Sequence, residues 1–350
     1  MVLIDRRQLL ALATWAAASS KAWAQQAPMN EQERTLYEAA KREGEVTWYT
    51  GQYSADASEA AGRAFNERYP GVRCNVVRST SQVAFQRLSQ DFRAGVGQCD
   101  VFSSTNGGHY VQLKRQNRLV KFRPLNADGL LPILRRPDPD DYFQSSFLGI
   151  YLMGHNTTQV SEADAPKSWT DVLDPKWKDK LAVGHPGFSG AIGLWALQMR
   201  TMFGPDYLRR FERNKPQVGR SSIDPVTMMT AGERAVGVAV PSASTLFAAS
   251  RGNPLKLIYP TEGVIAAMSP SAIPTNAPHP NAAKLFQEFQ TGPALSAAVR
   301  LLFNESIRPD VPPPEGSRPL DQVTMLAPSL EEAERGVPEV REQWREIFGV

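Results

Sequence analysis

Residues 45–79 read EVTWYTGQYSADASEAAGRAFNERYPGVRCNVVRS. The first six alternate into a strand that stops at Gly51. Ser54 then caps a helix whose Ala60, Ala61, Ala64 and Phe65 share an inward face. Pro70-Gly71 punctuates, and RCNVVRS starts a second strand. A helix from Ser81 leads to a third strand, DVFSS (100–104), at the same spacing of about 25 residues. Strand–helix–strand units of this length use right-handed crossovers, so the pattern dictates a parallel sheet in an α/β fold.

The same logic extends in both directions. A helix, NEQERTLYEAAKRE, precedes the first strand and ends at Gly44. Downstream, FLGIYLMGHN (147–156) is a long buried strand able to cross into a second unit. That unit holds a strand at Leu181–Val183, a helix from Ser189, and helices beginning near Pro205 and Asp224. A strand at 235–241, a helix from Ser242 and a strand at 255–260 complete it, with a helical pair beyond over 279–303. The expectation is two α/β lobes with a cleft between them.

The 350 residues suffice for two cores. Residues 1–24 read as an export signal of twin-arginine type, with Arg6-Arg7, an apolar run over 9–18 and a cleavage site near Ala24. Its removal takes Arg6, Arg7, Lys21 and Asp5, so 39 basic and 36 acidic residues become 36 and 35. Such a balance excludes a nucleic-acid footprint. No later apolar run is long enough to span a membrane. Cys74 and Cys99 are expected as buried thiols, because a third strand should separate their two strands.

Residues 181–199, LAVGHPGFSGAIGLWALQM, hold a helix start with an oddity. Ser189 offers a cap, but the first turn carries no Asp or Glu, although the helix dipole favours one there. The other strand tips share that chemistry. They carry Tyr49, Thr50 and Tyr53; Ser79 and Ser81; Ser104 and Thr105; Arg220 and Ser221; Ser242 and Ser244. In open α/β sheets ligands sit beyond the carboxyl ends of strands. Hydroxyls, free N–H groups and two nearby cations, Arg78 and Arg220, suit an anion. No nucleophile has a base in reach, and His109, His155, His185 and His279 are scattered, which argues against an enzyme, a bound cofactor or a zinc site.

Several segments together resemble one family: EGEVTWYTGQYSADASEAAGRAFNERYPGV, DVFSS, SWTDVLDPKWKDKLAV, FSGAIGLWAL, AVGVAV, RGNPLKLIYPTEG and APHPNAAKLFQEFQTGPA. Their order, over residues 36 to about 305, is similar to the periplasmic solute-binding proteins of ABC importers, in the branch of the ferric-ion-binding proteins. The resemblance implies a two-lobed type II binding-protein fold, each lobe a mainly parallel sheet flanked by helices. It implies lobe I at 31–146 and 261–305, lobe II at 147–260 and a C-terminal helical segment at 306–350 packed on them. It also implies a monomeric periplasmic protein that hands a small solute to an inner-membrane permease.

In the ferric members a His, a Glu and two adjacent tyrosines hold iron; the matching positions here are Tyr53, Thr105, Ser242 and Ala243. Those residues lack the anionic oxygens Fe(III) requires, so an iron or iron-complex role is the alternative rather than the main expectation. The family's anion-binding helix start, Ser-Gly-Ala, is retained as Ser189-Gly190-Ala191, and a nearby anion-site Asn is replaced by Ser221. The resemblance therefore points to a solute bearing phosphate, phosphonate or carboxylate, whose charge occupies the acid-free turn.

Overall fold

The computed structural model describes residues 28–350; the expected export signal lies outside the described residues. Its first helix, α1 (Glu31–Glu43), starts at an Asn30/Glu33 capping box and stops where Gly44 takes φ 79°. The opening stretch then folds as β1 (Glu45–Thr50), α2 (Ala55–Arg68), β2 (Arg73–Arg78), α3 (Ser81–Ala94) and β3 (Val101–Ser103). β2, β1 and β3 lie side by side in parallel, with β1 central. Cys74 and Cys99 are free buried thiols with β1 between their strands.

After α4 (Gly108–Arg115) comes β4 (Gln144–Asn156), buried at every residue. It begins three residues before the expected Phe147, because Gln144 and Ser145 pair with a strand that local sequence signals do not mark. This is β9 (Val264–Ala272), antiparallel to both β3 and β4. Pro270 masks it, since a proline inside a run argues against a central strand; here it falls at a register shift opposite Ser145. Between β4 and β9 in the chain come β5 (Leu181–Val183), α5 (Gly190–Phe203), α6 (Tyr207–Glu212) and β6 (Gln217–Val218). Then come α7 (Asp224–Thr230), β7 (Val236–Pro241), α8 (Ser242–Ser250) and β8 (Leu255–Ile258).

The sheet order is β2-β1-β3-β9-β4-β7-β5-β6, a parallel trio at each end joined through antiparallel β9 and β4. Helices cover both faces. Trp48 and Tyr49 lie on opposite faces of β1 and both are core. Trp48 packs with Phe65 and Phe286, and Tyr49 with Leu88 and Phe102. A separate core around Trp169, Trp195 and Phe211 fills the β5–β7 end.

Past α9 (Pro280–Thr291), α10 (Pro293–Arg300) and the short β10 (Met325–Leu326), the chain ends in α11 (Leu330–Phe348). This helix packs on both α4 and α5. Val337 sits over Gly193, Gly336 admits Leu197, and ion pairs join Glu334 to Arg115 and Glu339 to Arg200. No described helix is long and apolar enough to cross a membrane.

Candidate functional site

A cavity of about 280 Å³ opens between the loops that follow the strands of the two parallel trios. One wall is the β1–α2 loop from Gly51 to Ser54, with Arg78 from the end of β2 and Thr105 beyond β3. The facing wall holds Ser189, Ser222 and the α8 start at Ser242, Ala243 and Ser244. Phe147 to Tyr151 of β4 form a largely apolar floor, and Leu302, Asn304 and Glu305 close the site from the segment after α10.

Local structure explains how these residues arrive. In β7 an extra residue sits opposite β4 between the Leu152–Val240 and Gly154–Gly237 pairs, and Ala239 takes φ 55°. Such a bulge bends its strand and re-aims the residues beyond it. The first residue past the end of β7 is Ser242. At Gly51 an added Cβ would lie 2.6 Å from the Ser81 Cα, so only glycine lets this loop settle on the α3 start. Gly190 meets the Thr105–Asn106 backbone as closely, with an added Cβ 2.8 Å from the Asn106 nitrogen. The start of α5 thus abuts the loop after β3, and Gln82 N–H reaches the Phe188 carbonyl at 3.4 Å.

Of the sequence-predicted residues, Tyr53, Arg78, Thr105, Ser189, Ser242 and Ser244 line this cavity. The structure does not bring the others to it. Tyr49 is buried in a core with Arg87 4.8 Å over its ring. Thr50 is fully buried within the β2–β1–β3 trio. The Ser79 hydroxyl donates to the Thr80 carbonyl. The Ser81 hydroxyl lies 2.7 Å from that of Thr105 and donates to the Gly51 carbonyl, so it positions the lining instead of joining it. Ser104 is enclosed with His109, 2.9 Å away. Gly190 and Ala191 are buried behind Ser189. Arg220 lies over Phe188 at 4.8 Å. Ser221 donates to Asp224 at 2.6 Å and accepts from the Asp224 N–H. That Ser-x-x-Asp spacing is a local capping signal legible in the sequence, and it is the next residue, Ser222, that lines the cavity. His185, just before the α5 start, accepts from Gly187 N–H and packs on Phe188 and Trp344.

The electrostatics favour an anion at one end. Neither α5 nor α8 has a side-chain hydrogen bond at its cap or an acid in its first turn. Uncapped helix starts present free N–H groups and the positive end of the dipole. Arg78 adds the cavity's one cationic side chain. Its Nε donates to the Tyr53 carbonyl at 3.2 Å, and among the described residues no protein hydrogen bond is made by its two terminal nitrogens. Desolvation lowers its pKa, partly offset by Tyr151 and Asp224.

The phenols are neutral. Burial raises Tyr53, whose hydroxyl donates to the Ser146 carbonyl at 3.2 Å, and pushes Tyr151 up to about 12. Two carboxylates also line the site: exposed Asp56, and Glu305, which is 6% exposed. Desolvation pushes Glu305 up to about 7, with Ser317 drawing it back. Sequence reasoning missed Glu305, Ser222 and the apolar floor, since nothing local marks them.

All four positions matching the ferric ligands, Tyr53, Thr105, Ser242 and Ala243, line the cavity. They offer a phenol held neutral, two hydroxyls and a methyl, which do not fit hard Fe(III). Among the described residues no group of three or more His, Cys, Asp or Glu could hold a metal ion.

Comparisons identify the class. Residues 114–332 match the bacterial extracellular solute-binding proteins, and the chain belongs to that family. Its structure is similar to the periplasmic binding protein AfuA from Actinobacillus pleuropneumoniae with fructose-6-phosphate bound, at 20% identity, 88% of this chain, 99% of that chain and TM-score 0.79. It is also similar to the periplasmic binding protein P5PA (17% identity, 87% and 99% covered, TM-score 0.75) and to iron-bound HitA from Pseudomonas aeruginosa (16%, 87% and 99%, TM-score 0.74). The fold is the two-lobed type II periplasmic binding fold. No curated protein matches the chain by sequence.

Proposed function

We propose that this protein is the binding component of an ABC importer for a small organic anion, taken up in the interlobe cavity and delivered to an inner-membrane permease. The observation that carries this reading is the convergence of Arg78 with the acid-free starts of α5 and α8 on one cavity. Backbone N–H groups, hydroxyls and one guanidinium hold a phosphate, phosphonate or carboxylate without nucleophile or metal. The apolar floor of Phe147, Ile150 and Tyr151 suits a carbon skeleton beside the charge. AfuA with its fructose-6-phosphate supports a phosphorylated solute by analogy of fold.

In this reading lobe I comprises 31–146 and 261–305 and lobe II 147–260, with β4 and β9 passing between them. Closure brings Ser189 toward Thr105, and ligand contacts from both walls favour the closed state. The protein acts as a monomer in the periplasm, after cleavage near Ala24, and turns over no substrate.

A thermal-shift and calorimetry screen of phosphorylated sugars, alkyl phosphates, phosphonates, carboxylates and ferric citrate tests this. A cognate anion at 100-fold excess over its Kd raises stability by about 2.7 kcal/mol. Arg78→Ala should weaken it about tenfold, the scale of a charge-assisted hydrogen bond lost from a guanidinium that is itself exposed at the cavity. Tight binding of iron without any anion, unaffected by Arg78→Ala, would overturn the proposal.

A further inference from the structure

His109 lies outside the cavity lining, on α4, and is buried. Its ring stacks on that of Phe85, with centroids 4.0 Å apart and planes within 4°. The two ring nitrogens reach three residues. Nδ1 lies 2.9 Å from the Ser104 hydroxyl, which also accepts from the Asn106 N–H at 3.1 Å. Nε2 lies 2.8 Å from Gln82 Oε1 and 3.2 Å from Asn106 Nδ2. Burial, with Arg341 nearby, lowers the pKa to about 3, so the ring is neutral and one nitrogen donates while the other accepts.

The residues it holds belong to the two segments that meet the start of α5. The loop after β3 comes against Gly190, whose added Cβ would lie 2.8 Å from the Asn106 nitrogen. The start of α3 has no side-chain cap bond, and its Gln82 N–H donates at 3.4 Å to the carbonyl of Phe188, the residue before Ser189. A first-turn N–H that the helix leaves open thus finds its acceptor on the facing wall. One buried imidazole stands behind both contacts. Taking the two-lobe reading above, we infer that His109 is a positioning residue for closure: it holds Gln82 and the Ser104–Asn106 loop so that lobe I meets the α5 start through protein contacts that no solute makes. The solute then supplies only part of the free energy that keeps the cavity shut, and the share set by His109 is the same for every solute.

Amide exchange followed by NMR tests this seam on the mature protein without added ligand, beside His109→Phe and His109→Gln. His109→Phe keeps a flat ring against Phe85 and removes both nitrogens. His109→Gln keeps an amide within reach of Gln82. The Gln82 N–H should exchange about tenfold faster in His109→Phe than in the wild type. The Ala84 N–H, bonded within the same helix start to the Thr80 carbonyl at 2.9 Å, should hold, which separates positioning from a weakened fold. His109→Gln should restore part of the Gln82 protection. Calorimetry with inorganic phosphate and fructose-6-phosphate gives the second reading: His109→Phe should weaken both by the same factor, about fivefold. Equally fast Gln82 exchange in wild type and His109→Phe, Gln82 and Ala84 loosening together in both variants, or unequal losses for the two phosphates would overturn the inference. If neither phosphate binds the wild type, the phosphate form of the anion reading fails, and the amide exchange still decides whether His109 sets the seam.

Discussion

Two kinds of helix start coexist in this molecule. Away from the cavity, α1 and α11 open with capping boxes: Asn30 with Glu33 and Ser329 with Glu332, each with a second acid in the first turn. At the cavity, α5 and α8 open with no side-chain cap bond and no acid; α3, α4, α9 and α10 open the same way, but of these starts only those of α5 and α8 line the cavity beside Arg78. The first kind completes its N–H groups and dipole from its own sequence, which is how a helix end normally reaches stability. The second leaves them incomplete. Of the helices of eight or more residues that reach the cavity, α2 alone departs from the pattern, with Ser54 capping and Asp56 exposed. The contrast means that stability forgone at two helix ends is available to a ligand of the right charge.

The largest expected effect concerns the buried carboxylate within that cavity. Burial raises Glu305 from its ordinary 4.5 to about 7. The folded protein therefore holds a proton between those values that the unfolded chain has released, and the stabilisation is complete below pH 4.5 and lost as pH rises through about 7. Glu305 should make the empty protein up to about 3 kcal/mol less stable at pH 8 than at pH 4.5. Denaturant titrations across that range check it: Glu305→Gln should flatten this component of the slope. An unchanged slope would mean that the carboxyl is hydrated.

Ser189→Asp tests the contrast directly, because it gives α5 what α1 already has. Asp is at least as good a cap as Ser, so stability should hold or rise by up to about 1 kcal/mol. Affinity for the anion should fall about thirtyfold, roughly 2 kcal/mol, from charge repulsion at the dipole's positive end. Opposite signs in the two measurements are the signature. Parallel losses would show a damaged fold.

Gly190→Ala should act more weakly. The new Cβ would fall 2.8 Å from the Asn106 nitrogen and 2.9 Å from the Thr105 carbonyl carbon, and neither backbone atom can yield as a flexible side chain does. The α5 start must back away from Thr105, so affinity should drop about tenfold, while a stable, well-folded protein remains. Unaltered affinity would mean that the approach of α5 to Thr105 has no part in binding.

How much of this is legible in the sequence depends on the range of each cause. The β1–α2–β2–α3–β3 succession can be read because caps, alternation and Gly44 act within a few residues. The acid-free start at Ser189 can be read for the same reason. β9 cannot, since Pro270 speaks locally against a strand and only pairing with β3 and β4 establishes one. Ser79 and Ser104 look like open hydroxyls in sequence, and their partners appear only once Thr80 and His109 are placed. Glu305 is the extreme case: it follows a backbone turn at Phe303, and its neighbours Tyr259 and Ser317 come from distant segments.

The smallest effect is expected where the contrast predicts no functional consequence. In α11 the Ser329 hydroxyl accepts from Glu332 N–H at 3.2 Å, and Ser329→Ala removes that bond and half of the capping box. The loss should be about 1 kcal/mol in denaturant unfolding. Affinity should not change, since nothing in the cavity wall belongs to α11. This variant nevertheless puts the comparison at risk. The same helix packs on α4 and α5, which approach the cavity from opposite walls, and Glu334 pairs with Arg115 within its second turn. If fraying the first turn of α11 weakens anion binding, the helix helps set the spacing between Thr105 and Ser189. Its cap would then belong, through packing, to the same closure as the uncapped starts, and the division between helix ends that stabilise and helix ends that bind would no longer hold.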